Sequence, residues 1–394
     1  MKVLMINTEK NRGGAAKMAA TLVKAVDDHS IGIEARLVHC ENDFIDKYTV
    51  GIKRPFSFYL NILQTRLFGT QSIFDFGVAN QVLRMSRDAD IVHIHNLHGY
   101  YINFVKLLNG LKKKPVIWTW HDMWGATGRC GVALNCEGWL NDCNPCEHKN
   151  YYPKVLLDFA GSEYNIKSKL YDSMTNLNIV TPSDWMMDIV NRRGITYNSI
   201  QVIPNPVDIS QFRPLNKSQA KKLLNINDET AILFVAHNCN DFNKGYDDFS
   251  KIVDETGVMG IVVGVEPKKL NSNIKYLGKV ASKQELAICY SAVEAFVITS
   301  KSDNYPNTVI EAMACGTPVF GYSVGGIPSQ LNNKWGGLVD YGDYKSLSIK
   351  IKSFIESIEN VDKLQSEISN YASKKWDASL IAKEYIELYK KVLS

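Results

Sequence analysis

Two acidic residues stand eight positions apart in the segment SKSDNYPNTVIEAMACGTPVFGYSVGG, residues 300–326. Asp303 lies in a loop after a strand-like run, and Glu311 falls about one turn inside the helical stretch 307–314 that follows Pro306. Carboxylates at one edge of a cleft can accept hydrogen bonds from sugar hydroxyls. The helix start between them, around Asn307 and Thr308, offers free N–H groups to a diphosphate. An acid pair at this spacing is a weak signal alone. It is much stronger when helix, turn (Cys315, Gly316, Thr317, Pro318) and strand follow in that order. Lys244, with Gly245 beside it, follows another strand-like run through a polar loop. A cation there would neutralise a phosphate leaving group. A solvated loop lysine is the plainer reading of that residue.

His121 and Asp122 close the run 115–120. In open α/β sheets, ligands gather at the carboxyl ends of strands. A histidine there can donate to an anionic or hydroxyl-rich substrate, with the adjacent Asp orienting it. A histidine satisfied by loop carbonyls is the plainer reading of that residue alone. His93, His95 and His98 surround the end of the preceding strand, but no acidic residue accompanies them at ligand spacing. A catalytic metal is therefore not expected at these histidines. The first strand ends at Asn7, and Gly13 and Gly14, after Arg12, lead into a helix. They either bring backbone close to an anion or form an ordinary tight turn.

Cys130, Cys136, Cys143 and Cys146 follow the pattern C-x5-C-x6-C-x2-C, with His148 two residues on. Four thiolates suit a structural zinc and leave no open position for catalysis. Free thiols and disulfides remain alternatives. Cys40, Cys239, Cys289 and Cys315 are scattered in apolar surroundings and read as small core residues.

The elements that must position these residues alternate regularly. Strand-like runs occur at 2–6, 35–38, 91–94, 115–120, 178–181, 201–203, 231–236, 260–265, 274–277, 295–298 and 317–321. Several are nearly continuous in Val, Ile and Leu, as parallel strands covered on both faces are. Helical stretches such as 15–26, 246–254, 282–291 and 307–314 lie between them. The expected class is α/β with doubly wound sheets. A Pro-rich break at 204–214 separates two strand–helix series, and an apolar stripe marks a closing helix over about 377–393.

The chain has 394 residues, with 45 Lys and Arg against 41 Asp and Glu, a net charge of +4. Two to three domains are expected at this length. The near-neutral balance argues against a nucleic-acid binder. No run of about 18 apolar residues suggests a membrane span. The stretch MKVLMINTEKNRGG lacks the apolar run and cleavage site of a signal peptide, so a cytoplasmic protein with reduced cysteines is expected. One stretch, residues 53–60 with Arg66, Leu67 and Phe68, mixes basic and aromatic residues. It suggests peripheral contact with the inner face of the membrane, with an ordinary packed amphipathic helix as the alternative.

Taken in order, these pieces resemble a family-4 retaining glycosyltransferase of the GT-B fold. The matching features are Gly13 and Gly14, DIVHIH at 90–95, His121 with Asp122, VIPNPVD at 202–208, Lys244 with Gly245, YLG at 276–278 and EAMACGTPV at 311–319. The resemblance covers nearly the whole chain, and the insert after Asp122 is similar to that of bacterial enzymes building surface polysaccharides. It implies two Rossmann-like domains facing across a cleft. Residues 1–190 would form the acceptor side and 200–375 the nucleotide-sugar donor side, with a helix over 376–394 crossing back.

Position by position, the resemblance assigns Glu311 to the ribose and Asp303 to the transferred sugar. Lys244 and the amides near Asn307 and Thr308 would hold the diphosphate, with Gly14 closing over it. The loop 278–280, including Val280, would lie against the base, and His121 near the reacting carbon. Two departures stand out. Asp303 replaces the family's usual Glu, and Asn238 replaces an Arg six residues before the Lys, with Arg12 or Arg129 as substitutes to consider. The implied reaction moves a sugar from a nucleotide-diphosphate sugar, UDP preferred and GDP second, without a catalytic metal. The acceptor would be a saccharide, lipid-linked, of a bacterial surface glycan of the O-antigen, lipopolysaccharide or capsule type. A sugar-nucleotide epimerase on the same architecture and an inactive nucleotide-sugar-binding scaffold are the alternatives.

Overall fold

Strand–helix alternation builds two parallel sheets. The computed structural model describes all residues except 11, 30, 42–44, 53–56, 72, 75–76, 151–152, 227–228, 281 and 332–333. The chain divides into an N-terminal unit, Met1–Pro204 with Ile381–Ser394, and a C-terminal unit, Asn205–Leu380.

In the N-terminal unit the described strands are β1 (Lys2–Ile6), β2 (Glu34–His39), β3 (Thr49–Gly51), β4 (Ile91–Ile94), β5 (Val116–Thr119), β6 (Leu177–Thr181) and β7 (Ser199–Val202). They run in the order β3-β2-β1-β4-β5-β6-β7, and every pairing is parallel. The central strands β4, β5 and β6 are buried throughout, which explains their unbroken apolar sequences. Helix Gly14–His29 covers β1 and β2 with a stripe that includes Ala19, Leu22, Val23 and Val26, the three- and four-residue spacing of one helical face. Asn178 is a polar exception in β6. Its amide donates to the carbonyls of Val116 and Asn176, and its Oδ1 accepts from Asn198 and Ser199, stitching β6 to both neighbours.

In the C-terminal unit the strands are β8 (Ala231–Asn238), β9 (Met259–Val265), β10 (Ile274–Tyr276), β11 (Ala295–Ile298), β12 (Val319–Tyr322) and β13 (Gly336–Val339), again all parallel, in the order β10-β9-β8-β11-β12-β13. The register of β8 against β9 slips between Val235 and Asn238. Gly264 at that slip has φ +142°, and a Cβ there would stand 1.8 Å from the Ala236 carbonyl oxygen, so only glycine fits. Trp376 is fully buried beneath helix Asn307–Ala314 and donates its indole N–H to the Tyr305 hydroxyl at 2.7 Å.

The strand-like runs all form strands. Two strands were not expected: β3 has three residues, and β13 begins with two glycines, so neither carries a readable apolar run. Helices Tyr344–Glu356 and Val361–Trp376 lie before the closing helix, which spans Ala378–Leu393 after a break at Asp377 (φ −51°, ψ 131°).

Candidate active site

Each sheet changes direction once, and both candidate clusters lie at those points. In the C-terminal unit, β8 is followed by β9 on one side and later by β11 on the other. The carboxyl ends of β8 and β11 therefore flank a crevice of the type that holds ligands. The loop after β8 delivers Lys244 and the loop after β11 delivers Asp303. Lys244 Nζ donates to Asp303 Oδ2 at 2.7 Å, with the lysine side chain 34% exposed. Burial pulls the Lys244 ammonium down, but the Asp303 carboxylate, helped by Asp241, outweighs it, so its pKa is raised above the ordinary value. Lys244 is thus a fixed cation, not a loosely solvated one.

Three contacts hold the two loops together. Asn243 Nδ2 donates to the Ser302 carbonyl at 2.7 Å, and its Oδ1 accepts from the Ser302 N–H at 3.1 Å. The Thr299 hydroxyl donates to the Gly245 carbonyl at 2.8 Å. Gly245 has φ +72°, and a Cβ there would stand 2.1 Å from the Thr299 carbonyl oxygen, so glycine is required beside the lysine.

Helix Asn307–Ala314 begins after Pro306, with Asn307 and Thr308 half-buried in its first turn. Asn205 braces that turn, donating to the Tyr305 carbonyl at 3.1 Å and to Asn307 Oδ1 at 3.0 Å. The PNP segment, read as a break and as part of a family-like motif, therefore also supports the helix start. Glu311 is buried, and its Oε2 accepts from the Tyr290 hydroxyl at 3.2 Å. Burial, then the Glu311 charge, pushes the Tyr290 phenol well above its ordinary pKa, so it stays a donor. Val280 is half-buried against the core of this unit. Asn238 is exposed at the end of β8, where its Oδ1 accepts from the Asn240 N–H at 3.1 Å. Neither Asn243 nor Tyr290 stood out in the sequence: Asn243 had only its proximity to Gly245 as a signal and Tyr290 had none, while Asn205 was noted within VIPNPVD without a role.

In the N-terminal unit the sheet reverses between β1 and β4. Gly13 (φ +90°) and Gly14 are exposed at the end of the β1 loop, as is Arg12, and Gly14 starts the following helix. The ends of β4 and β5 supply a chain of histidines. His93 Nδ1 meets the Tyr389 hydroxyl and its Nε2 meets Thr119 Oγ1, both at 2.8 Å, and Thr119 Oγ1 meets the Tyr385 hydroxyl at 3.1 Å. His95 Nδ1 meets His121 Nε2 at 3.0 Å, and His98 Nε2 meets Asp122 Oδ2 at 2.7 Å. Residues His95, His98, Trp118, Trp120, His121 and Asp122 are among those lining a small cleft.

Asp122 was expected to orient His121. Its carboxylate instead receives His98 and the Trp124 N–H, capping the short turn Met123–Gly125, while His95 holds the His121 ring. The physical reason is that Asp122 must satisfy the backbone of the turn it starts. Burial pushes His121 down to about 4, against the pull of Asp122, and pushes His93 down to about 3. His95 falls well below its ordinary value for the same reason. These are neutral imidazoles at pH 7. No set of three or more His, Cys, Asp or Glu side chains among the described residues is gathered closely enough to hold a metal ion.

Arg129 does not substitute for the Arg that Asn238 replaces. It is buried in the cysteine insert, where it donates to the carbonyls of Pro153 and His148 and to Cys146 Sγ. Residues 53–56 of the basic-aromatic stretch lie outside the described residues. The rest forms helix Ser57–Phe68, with Tyr59, Leu60 and Leu63 exposed. Leu156 and Leu157 are also exposed, and their N–H groups donate to the Arg66 and Leu67 carbonyls. No described helix is long and apolar enough to cross a membrane.

Comparison with known proteins matches residues 12–211 to the family described as Glycosyltransferase Family 4, and residues 219–375 to Glycosyl transferases group 1. The chain is 26% identical over 354 residues, 81% of its length and 82% of the relative's, to the putative colanic acid biosynthesis glycosyl transferase WcaC of Escherichia coli. It is 23% identical over 224 residues to the N,N'-diacetylbacillosaminyl-diphospho-undecaprenol alpha-1,3-N-acetylgalactosaminyltransferase of Campylobacter jejuni, spanning 52% of this chain and 58% of that one. Among solved structures, Anabaena HepE in complex with UDP aligns over 99% of this chain and 100% of its own, with a TM-score of 0.71 and 16% identity. Another HepE structure holds UDP-glucose.

Proposed function

The chain belongs to glycosyltransferase family 4 and has the GT-B type of fold, and from that premise we propose that it moves a sugar from UDP to a lipid-linked saccharide in building a bacterial surface polysaccharide, with retention at the anomeric carbon and no catalytic metal. The observation that carries the reading is the fixed cation Lys244, set against Asp303 at the point where the sheet of the C-terminal unit reverses.

The donor's diphosphate takes Lys244 and the free N–H groups at the start of helix Asn307–Ala314. As the bond to the sugar breaks, the diphosphate leaves with the electron pair, and the nearby ammonium offsets the new charge. Binding the phosphate requires Lys244 to loosen from Asp303, which then turns its carboxylate to a sugar hydroxyl. Glu311, oriented by Tyr290, accepts from the ribose hydroxyls. Val280 lies against the base. In the N-terminal unit, His121, neutral and held by His95, can give hydrogen bonds to a sugar hydroxyl without adding charge.

UDP is preferred because HepE, similar in fold, is seen with UDP and UDP-glucose. The acceptor reading is supported by WcaC and by the Campylobacter relative, whose name specifies a diphospho-undecaprenol substrate. The exposed Tyr59, Leu60, Leu63, Leu156 and Leu157 support docking on a membrane surface. Incubation with UDP-sugars and lipid-linked acceptors, with the product's anomeric configuration read by NMR, tests the reaction. A retained configuration without added divalent cations is expected. An inverted product, or epimerised donor with no transfer, contradicts it. Sedimentation with anionic vesicles at low salt tests the docking, and an unbound protein removes that part.

A further inference from the structure

Two buried cations lie beside the cysteines of the N-terminal unit; among the described residues their side-chain hydrogen bonds go to carbonyls and a thiol, and the Glu163 carboxylate offsets part of the Lys167 charge. Lys167 is 1% exposed, and its Nζ donates to the carbonyls of Trp124, Thr127 and Gly128 at 2.7, 3.0 and 3.3 Å. Arg129 is 3% exposed and donates to two carbonyls and, at 3.2 Å, to Cys146 Sγ. Glu163, a buried carboxylate on the same helix as Lys167, accepts from the Gln71 N–H through Oε1. Burying cations this deeply is costly unless negative charge compensates them.

The four cysteines stand beside them. Cys130, Cys136, Cys143 and Cys146 line one cavity. The Gly128 N–H donates to Cys143 Sγ at 3.2 Å, as Arg129 does to Cys146 Sγ. The loop between the middle two cysteines is folded tightly. The Cys143 N–H returns to the Gly138 carbonyl at 2.9 Å, and a Cβ on Gly138 would stand 3.5 Å from Cys136 Sγ and 3.9 Å from Cys143 Cα. All eight cysteines are free. As they stand, the four side chains line the cavity without converging on one point.

We propose that Cys130, Cys136, Cys143 and Cys146 turn onto a single zinc ion as a closed structural site, with Lys167 and Arg129 as its charge-balancing partners. Four thiols lose four protons on binding. Four thiolate charges and one Zn²⁺ leave a net charge of −2, which Arg129 and Lys167 offset in part, with Glu163 taking a share of the Lys167 charge. A closed tetrathiolate site has no position for substrate, so the role is to brace. What it braces is the loop that carries His121 and Asp122. The Met123 N–H donates to the Gly131 carbonyl at 2.9 Å, and a Cβ on Gly131 would stand 3.4 Å from the Asp122 carboxyl carbon.

Metal analysis of the intact protein, purified with reductant and without chelator, tests this directly. About one equivalent of zinc per chain is expected, with Cys130, Cys136, Cys143 and Cys146 shielded from a thiol reagent until the metal is stripped. Cobalt loaded in its place should give the intense tetrahedral thiolate bands of a four-sulfur site. Less than about a tenth of an equivalent of zinc, bound iron with visible colour, or zinc kept by a chain in which all four cysteines are serine, overturns the proposal. The charge argument has its own arm. Lys167→Met preserves the ligands and the stem, and should weaken zinc binding by about 10–100-fold, as loss of an outer-shell partner does. Unchanged affinity in that folded variant contradicts the assigned role of Lys167.

Discussion

The two units share a doubly wound parallel sheet and place their candidate residues at the same topological position, yet the two clusters are electrostatic opposites. At the reversal of the C-terminal sheet stands a charged pair, Lys244 and Asp303, with buried Glu311 in the helix that follows. At and after the ends of β4 and β5, beside the reversal of the N-terminal sheet, stand His93, His95 and His121, all held neutral by burial. The difference teaches how one fold divides labour. In the proposed function the charged cluster binds and releases a diphosphate, and the neutral one offers donors and acceptors to hydroxyls where stray charge would be costly.

Breaking the charged cluster should have the largest effect. Lys244→Ala should lower kcat/KM for transfer by roughly 100–1,000-fold, the range seen when one group stabilising a leaving charge is removed. Steady-state kinetics with a UDP-sugar check it. Glu311→Gln should cost on the order of 100-fold in kcat/KM through lost charge-assisted hydrogen bonds to the ribose, while the folded state survives because the amide can still accept from Tyr290. A variant that keeps full rate while folding normally would move the ribose site elsewhere. Asp303→Glu should stay within roughly 10-fold of the parent kcat/KM, since the carboxylate is kept and only its reach changes.

The neutral cluster should answer to stability and acid more than to charge. Tyr389→Phe leaves His93 Nδ1 buried without its partner, a loss of about 1–3 kcal/mol, seen as a lower Tm of the N-terminal unit. The histidines also fix a sign. Their folded pKa values lie below the unfolded value of 6.5, so the unfolded chain binds more protons between the two. Their contribution is fully present above pH 6.5 and is lost as pH falls from there toward about 4 and 3. The C-terminal unit contains a single histidine, His237. Hydrogen exchange between pH 7 and 5 should show the N-terminal unit loosening first, the smallest of these effects. Equal loosening of both units would dissolve the contrast.

Much of this was legible in the residues. The α/β class followed from unbroken Val, Ile and Leu runs, because parallel strands are buried on both faces. The order from Asp303 to Pro318 exposed the acidic pair and its helix. Short or glycine-rich strands such as β3 and β13 left no pattern to read. Partnerships distant in sequence were equally hidden. His93 and Tyr389 are 296 positions apart, and Asn205 and Asn307 are 102 apart. Local spacing misled once, in pairing Asp122 with its neighbour His121, because the demand of a turn's backbone outweighs adjacency in the chain.

The central claim is that the charged cluster of the C-terminal unit binds the diphosphate of a UDP-sugar. Thermal unfolding with UDP, in buffer free of added divalent cations, tests it most directly. At 100 times its dissociation constant, UDP should stabilise the protein by about 2.7 kcal/mol, and the shift should vanish in Lys244→Ala. An absent shift with every nucleoside diphosphate, or one that Lys244→Ala leaves intact, would contradict the account.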